Sequence, residues 1–126
     1  GVRKIVKLAV SVPSHCALMK GAAERLGERF AELSWSEPAI PVIQNADARV
    51  AGDVAAIREA LQRQLYLPVR WTECVQALAA GGATSVVECG PGKVLSGLVK
   101  RIDKSIELRS LATPADFDAA LAHARA

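Results

Sequence analysis

Apolar side chains recur every three or four positions along several stretches of the chain, the spacing that draws one stripe on a helix. Leu18, Met19, Ala22, Leu26, Phe30 and Leu33 predict a helix over 18–33, weakened locally by Gly21 and Gly27. Ile57, Leu61 and Leu65 predict a second from about Asp53 to Tyr66, with Asp53 as its N-cap and Pro68 just beyond its end. Thr72 is expected to cap a third that runs through Leu78 and closes at Gly81-Gly82. Val94, Leu95, Leu98, Val99 and Ile102 mark a fourth, and Thr113-Pro114 opens a last one that reaches about Arg125.

Between these stripes lie short β-branched runs that read as strands: Ile5–Val10, Ile40–Ile43, Ser85–Cys89 and Ile106–Leu108. Pro38 and Pro41 break the chain before the turn-like Gln44-Asn45-Ala46-Asp47, and Gly90-Pro91-Gly92 makes a sharp turn after Cys89. Helices alternating with short strands predict an α/β fold. There is no internal repeat, no low-complexity segment and no linker long enough to divide the chain.

Composition narrows the function classes. With 126 residues, of which 51% are hydrophobic and 23% charged, the chain has material for one ordinary core. Its longest uncharged stretch, Cys74 to Val87, contains Gly81-Gly82 and is shorter than the ~20 apolar residues of a membrane span, so no membrane partner is expected. Gly1-Val2-Arg3-Lys4 leads into an apolar run holding Lys7 and stopped by Pro13, which is no secretory signal, so a cytoplasmic location is expected. Cys16, Cys74 and Cys89 are odd in number and widely spaced, which fits neither a disulfide framework nor a zinc site. A net charge of +3 with 4% aromatic residues argues against a nucleic-acid partner and leaves an acidic protein open.

The residue with the clearest chemical meaning is His15, in Ser11-Val12-Pro13-Ser14-His15-Cys16. Ser14 or Ser11 is expected to cap a helix beginning near His15. The imidazole would then lie on the first turn, where the dipole disfavours added positive charge and keeps a neutral base ready. The competing reading is a histidine that only caps or packs. No Gly-x-Ser-x-Gly elbow occurs anywhere, so a base is present without its serine. Gly90-Pro91-Gly92-Lys93 lacks the Gly at Val87 and the Ser or Thr at Val94 of a Walker loop, and the Gly at Leu95 of a dinucleotide fingerprint. It is read as a structural turn with Val94, Leu95 and Leu98 in the core. Cys16 diverges from His15 by about 100° on a helix and is read as a small buried hydrophobe rather than a nucleophile. His123 has no neighbour at metal-ligand spacing and is read as solvated; no metal site is expected.

Three blocks, Ser11-Val12-Pro13-Ser14-His15-Cys16-Ala17-Leu18-Met19, Gln64-Leu65-Tyr66-x-Pro68-Val69-x-Trp71 and Glu88-x-Gly90-Pro91-Gly92-Lys93-Val94-Leu95 with Gly97-Leu98, resemble the bacterial malonyl-CoA:acyl carrier protein transacylases of type II fatty acid synthesis. Their order and separation agree too, and the resemblance is to the C-terminal part of that family. It implies the C-terminal portion of an α/β-hydrolase-like acyltransferase core for residues 11–126, with residues 1–10 as the last strand of a small ferredoxin-like subdomain.

The activity implied is ping-pong malonyl transfer from malonyl-CoA to the phosphopantetheine thiol of acyl carrier protein, with no cofactor. His15 would be general base and acid, the Gln64 backbone carbonyl would hold its other ring nitrogen, and Ser14 would line the acyl pocket. The nucleophilic serine, the carboxylate-binding arginine and the oxyanion donors would lie in the upstream half of the same enzyme, so this segment alone is expected to be inactive. Arg3, Lys4, Lys100 and Arg101 match basic positions that would meet the acidic carrier protein. Lys100 and Arg101 equally suit a helix C-terminus, where cations are favoured. The alternative function is a truncated or cleaved non-catalytic segment that only binds the rest of the enzyme or the carrier protein.

Overall fold

Five α-helices and a two-stranded parallel sheet make up the α/β fold seen in the computed structural model, which describes residues 5–7 and 10–124. In chain order these are α1 (Lys20–Ala31), α2 (Val54–Tyr66), α3 (Trp71–Ala80), β1 (Ser85–Glu88), α4 (Val94–Ile102), β2 (Glu107–Ser110) and α5 (Pro114–Ala124). A 3-10 turn, Ala17–Met19, leads into α1.

The second half of the chain is a strand–helix–strand unit. β1 and β2 pair in parallel with Ser85 beside Glu107 and Glu88 beside Ser110, and α4 is the crossover between them. Val75 of α3, Val99 of α4 and Ile106 just before β2 form the core, with Trp71, Ala79, Val86, Ile102 and Leu108 packed around them. Val99 and Ile102 are three apart and lie on the inward half of the α4 stripe. The expected core positions Val94, Leu95 and Leu98 are instead exposed, at 72%, 44% and 37%. The stripe is wider than the part of it that two strands and α3 can cover.

The first half is a helix pair. Ala23 of α1 and Ala60 of α2 are buried, small side chains that let the two helices approach. Gly27, which costs helix propensity, lies where a Cβ would come within 2.6 Å of the Gln62 amide, so its absence lets Gln62 lie against α1. α1 stops at Ala31 because Trp35 folds back: its indole N–H donates to the Phe30 carbonyl at 3.0 Å, and the two rings meet edge to face at 5.0 Å.

Several expected elements differ. Ile40–Ile43 forms no buried strand; Ile43 makes one antiparallel bridge to Val50, while Ile40 and Val42 are exposed. Pro41 has no N–H for a ladder, and the chain is already turning: Ala48 is left-handed (φ 56°) and the Gln44 N–H donates to the Arg49 carbonyl at 2.8 Å. Thr72 is not the cap of α3. The helix begins at Trp71, Arg70 holds the cap position without a side-chain cap bond, and Arg70 pairs with Glu73 in the first turn. Of the Ile5–Val10 run, Ile5, Val6, Lys7 and Val10 form no strand, and Leu8 and Ala9 lie outside the described residues. Leu33 is exposed beyond α1, and the last strand runs from Glu107 rather than Ile106.

The caps at Asp53 and Thr113 follow the sequence. Asp53 accepts from the Ala56 N–H at 2.8 Å. Thr113 and Asp116 cap α5 reciprocally: the Thr113 N–H donates to the Asp116 carboxylate at 3.0 Å, and the Asp116 N–H to the Thr113 hydroxyl at 3.2 Å. Asp53→Ala is expected to lower the stability of the protein by about 1 kcal/mol and to speed exchange of the Ala56 amide. Urea unfolding and amide exchange measure both; an unchanged midpoint would remove Asp53 from the account of why α2 begins where it does.

Candidate functional site: a histidine seated on a helix end

α2 ends one residue before Leu67, whose N–H donates to the Arg63 carbonyl at 2.9 Å. A helix end leaves its last carbonyls without helical donors. Here two consecutive ones are taken by a single distant residue. The Leu65 carbonyl accepts the His15 backbone N–H at 3.0 Å, and the Gln64 carbonyl lies 2.7 Å from His15 Nδ1. A carbonyl oxygen only accepts, so this contact requires the hydrogen on Nδ1. In the neutral ring Nε2 is then the acceptor, and His15 is exposed.

His15 reaches this seat through a left-handed backbone, φ 58°, uncommon for a residue with a Cβ. It therefore precedes the helix instead of opening its first turn. Cys16, extended, occupies the cap position of the 3-10 turn, and neither Ser14 nor Ser11 caps it with a side chain. The helix end whose carbonyls His15 meets is the C-terminal end of α2. What the contact fixes is the tautomer. Cys16 is half-buried rather than buried, and its thiol donates to the Pro13 carbonyl at 3.2 Å, which ties the loop before His15 to the turn after it.

The structure thus brings His15 and Gln64 together across 49 positions of sequence. Ser14 is exposed beside His15. Lys100 and Arg101 are exposed on the last turn of α4, in the other half of the fold. Arg3 and Lys4 lie outside the described residues. His123 is half exposed, with Nε2 3.6 Å from the Glu107 carboxylate. Among the described residues no three His, Cys, Asp or Glu side chains gather as a metal site, and no helix is long and apolar enough to cross a membrane. Burial pushes the Cys74 thiol up, which makes it a poor nucleophile.

Sequence reasoning passed over Glu88. Standing at the end of β1, its carboxylate accepts from the Leu95 N–H at 3.0 Å, the Ser96 N–H at 2.8 Å and the Ser96 hydroxyl at 2.7 Å. It thereby caps α4 from seven and eight residues upstream and closes the Gly90-Pro91-Gly92 turn. The available signal was a glutamate two positions before the first glycine of a Gly-Pro-Gly turn, with no Ser, Thr, Asp or Asn at the helix start, where Lys93 stands.

The Ser96 hydroxyl above all, then the Ser96 and Leu95 amides, hold the Glu88 carboxyl below its ordinary 4.5, with burial opposing them. A depressed carboxylate contributes stability that is complete above its unfolded value and is lost as pH falls through the folded one. Glu88→Gln, which does not titrate, is expected to be less stable than the unsubstituted protein at neutral pH and to lose less on acidification below about 4.5. Urea midpoints measured across that range check this; two parallel curves would remove Glu88 from the acid response.

No family model matches the chain. The proteins that it does resemble are acyltransferases. They are malonyl-CoA:acyl carrier protein transacylases: that of Salmonella typhimurium is 50% identical over 121 residues, 96% of this chain and 39% of the relative. The crystal structure of the enzyme from Xanthomonas oryzae is 67% identical and superposes with a TM-score of 0.92 over 98% of this chain and 39% of that one. A malonyl-transacylase solved in complex with a type II polyketide acyl carrier protein is 45% identical, with a TM-score of 0.88 over 92% of this chain and 38% of that one. The chain spans about 39% of the length of curated relatives that it matches.

Proposed function

We propose that this chain is the C-terminal part of a malonyl-CoA:acyl carrier protein transacylase of type II fatty acid synthesis, and that it supplies the catalytic histidine. The observation that carries the reading is the 2.7 Å contact of His15 Nδ1 with the Gln64 carbonyl, which leaves Nε2 as an exposed proton acceptor. The relatives' printed activity supplies the substrates.

In the proposed reaction an upstream serine attacks the malonyl thioester while Nε2 takes its proton, and the resulting imidazolium protonates the departing coenzyme A thiolate. The carrier protein's thiol then gives its proton to the same nitrogen and attacks the acyl-serine, and the imidazolium returns that proton to the departing serine oxygen, which restores the free enzyme. A neutral carbonyl orients the ring and sets its tautomer without adding the counter-charge that an aspartate would. Arginine for the malonyl carboxylate and donors for the oxyanion belong, in this reading, to the upstream part, and Ser14 lines the acyl pocket beside His15. The core is α/β-hydrolase-like over 11–126, with residues 1–10 ending a ferredoxin-like subdomain, and the enzyme is cytoplasmic. The exposure of Val94, Leu95 and Leu98 supports a segment built to pack on further polypeptide, and inactive without it.

In the complete enzyme, His15→Ala is expected to lower kcat/KM by about 10²–10⁴-fold, the range of a positioned acid–base group. Gln64→Ala keeps the backbone carbonyl and should stay within one order of magnitude of the unsubstituted enzyme. Equal losses in the two variants would show that the Gln64 side chain, not its carbonyl, matters; no loss in His15→Ala would end the transferase assignment.

Lys100 and Arg101 are proposed to meet the acidic carrier protein. Lys100→Glu with Arg101→Glu is expected to raise KM for the carrier protein at low salt and to leave the malonyl-CoA half-reaction alone. The difference should shrink as the screening length falls towards about 8–10 Å. Unchanged carrier-protein kinetics at low salt would return both residues to the role of helix-end cations.

A further inference from the structure

A carbonyl in the last turn of a helix is free for a side chain only if the helix stops before a donor reaches it. Gln64 should receive the N–H of residue 68, four positions on. Residue 68 is Pro68, which has no N–H. The same ring disfavours the α conformation in the residue before it, and Leu67 is extended, at φ −101° and ψ 151°. The helix therefore ends at Tyr66 for two reasons that share one residue, and both leave the Gln64 and Leu65 carbonyls open. His15 takes both, one through its ring and one through its backbone.

We propose that Pro68 is a positioning residue for His15, acting through the Gln64 carbonyl to keep the ring in the tautomer with hydrogen on Nδ1. The inference rests on the reading of His15 as base for its consequence in rate, but not for its structural part. With an ordinary residue at 68, an N–H competes for the Gln64 oxygen, Leu67 is free to turn helical, and the Val69 N–H comes within reach of the Leu65 oxygen. The ring then loses its acceptor, and the tautomer with hydrogen on Nε2 becomes populated. That form presents a donor where the reaction needs a lone pair. The left-handed backbone at His15 loses its tie at the same time, since the Leu65 oxygen is what the His15 N–H bonds.

The test uses the complete enzyme with imidazole nitrogens labelled for NMR and a parallel measurement of malonyl transfer across pH. Pro68→Ala is expected to shift His15 from the Nδ1–H form towards the Nε2–H form and to lower kcat by about 10–100-fold with little change in KM, a part of what a positioned base contributes. N-methylalanine at position 68, introduced by chemical ligation, restores a tertiary amide without an N–H or a ring and is expected to recover both the tautomer and most of the rate. A Pro68→Ala protein with the Nδ1–H tautomer intact overturns the proposal. So does equal loss in the alanine and N-methylalanine proteins, which would mark Pro68 as merely stiffening the loop. If His15→Ala kept full activity, the base assignment would fail separately, and the NMR result would still decide what Pro68 does.

Discussion

The last turn of α2 governs the placement of His15 in this chain. Two carbonyls left over by helix geometry hold both the backbone and the ring of a residue 49 positions away. An unpaired buried or crowded carbonyl is costly, and so is a left-handed histidine; each makes the other tolerable. Because the bonds run to the main chain, the seat is only as well placed as α2 itself. α2 is placed by α1: Ala23 and Ala60 are buried where they approach, and the bare Gly27 leaves room for Gln62. The short 3-10 turn that follows His15 runs straight into α1, so the helix pair holds the loop at one end and the carbonyls at the other.

The strand–helix–strand half has its own core around Val75, Val99 and Ile106, and hydrogen bonds tie α3 and the residue before it to the turn at 44–48. The Arg70 N–H donates to the Asn45 carbonyl at 2.9 Å, and the Cys74 thiol lies 3.7 Å from the Gln44 carbonyl, with Gln44 itself buried. Arg70 also holds Glu73, whose hydrogen bond is the chief reason that its guanidinium is even more firmly protonated than usual. α3 thereby anchors the turn at 44–48, and the residues between Pro68 and Trp71 link that anchor to the end of α2.

How much of this was legible from the residues depends on whether the cause was local. The Asp53 and Thr113 caps, the α2 and α4 spans and the strand at Ser85 depend on neighbours within a turn or two, and their patterns read correctly. Ile40–Ile43 misled because β-branched residues score as strand whether or not a partner lies alongside, and Pro41 withholds a donor. The His15 contact with Gln64 was expected only through family likeness; no periodicity joins residues so far apart. Its left-handed backbone was invisible, since nothing in Pro13-Ser14-His15-Cys16 marks a positive φ as Gly would. Glu88 escaped because its partners are seven and eight residues on, beyond the reach of ordinary capping motifs.

Exposure ties these observations together. Val10 and Val12, just before the histidine, and Val94, Leu95 and Leu98 on α4 are all open to solvent. Acyl transfer between thioesters gains from a site that keeps water from the acyl-enzyme and strengthens each dipole aimed at the reacting carbonyl. His15, exposed and bordered by bare valines, has the tautomer for such work but not the enclosure. Under the proposed function the two deficits have one remedy: polypeptide that covers the apolar margin also brings the serine to Nε2. In that reading the base is positioned within these residues, by the two carbonyls and the proposed action of Pro68, while the environment in which it acts is made by what packs against them.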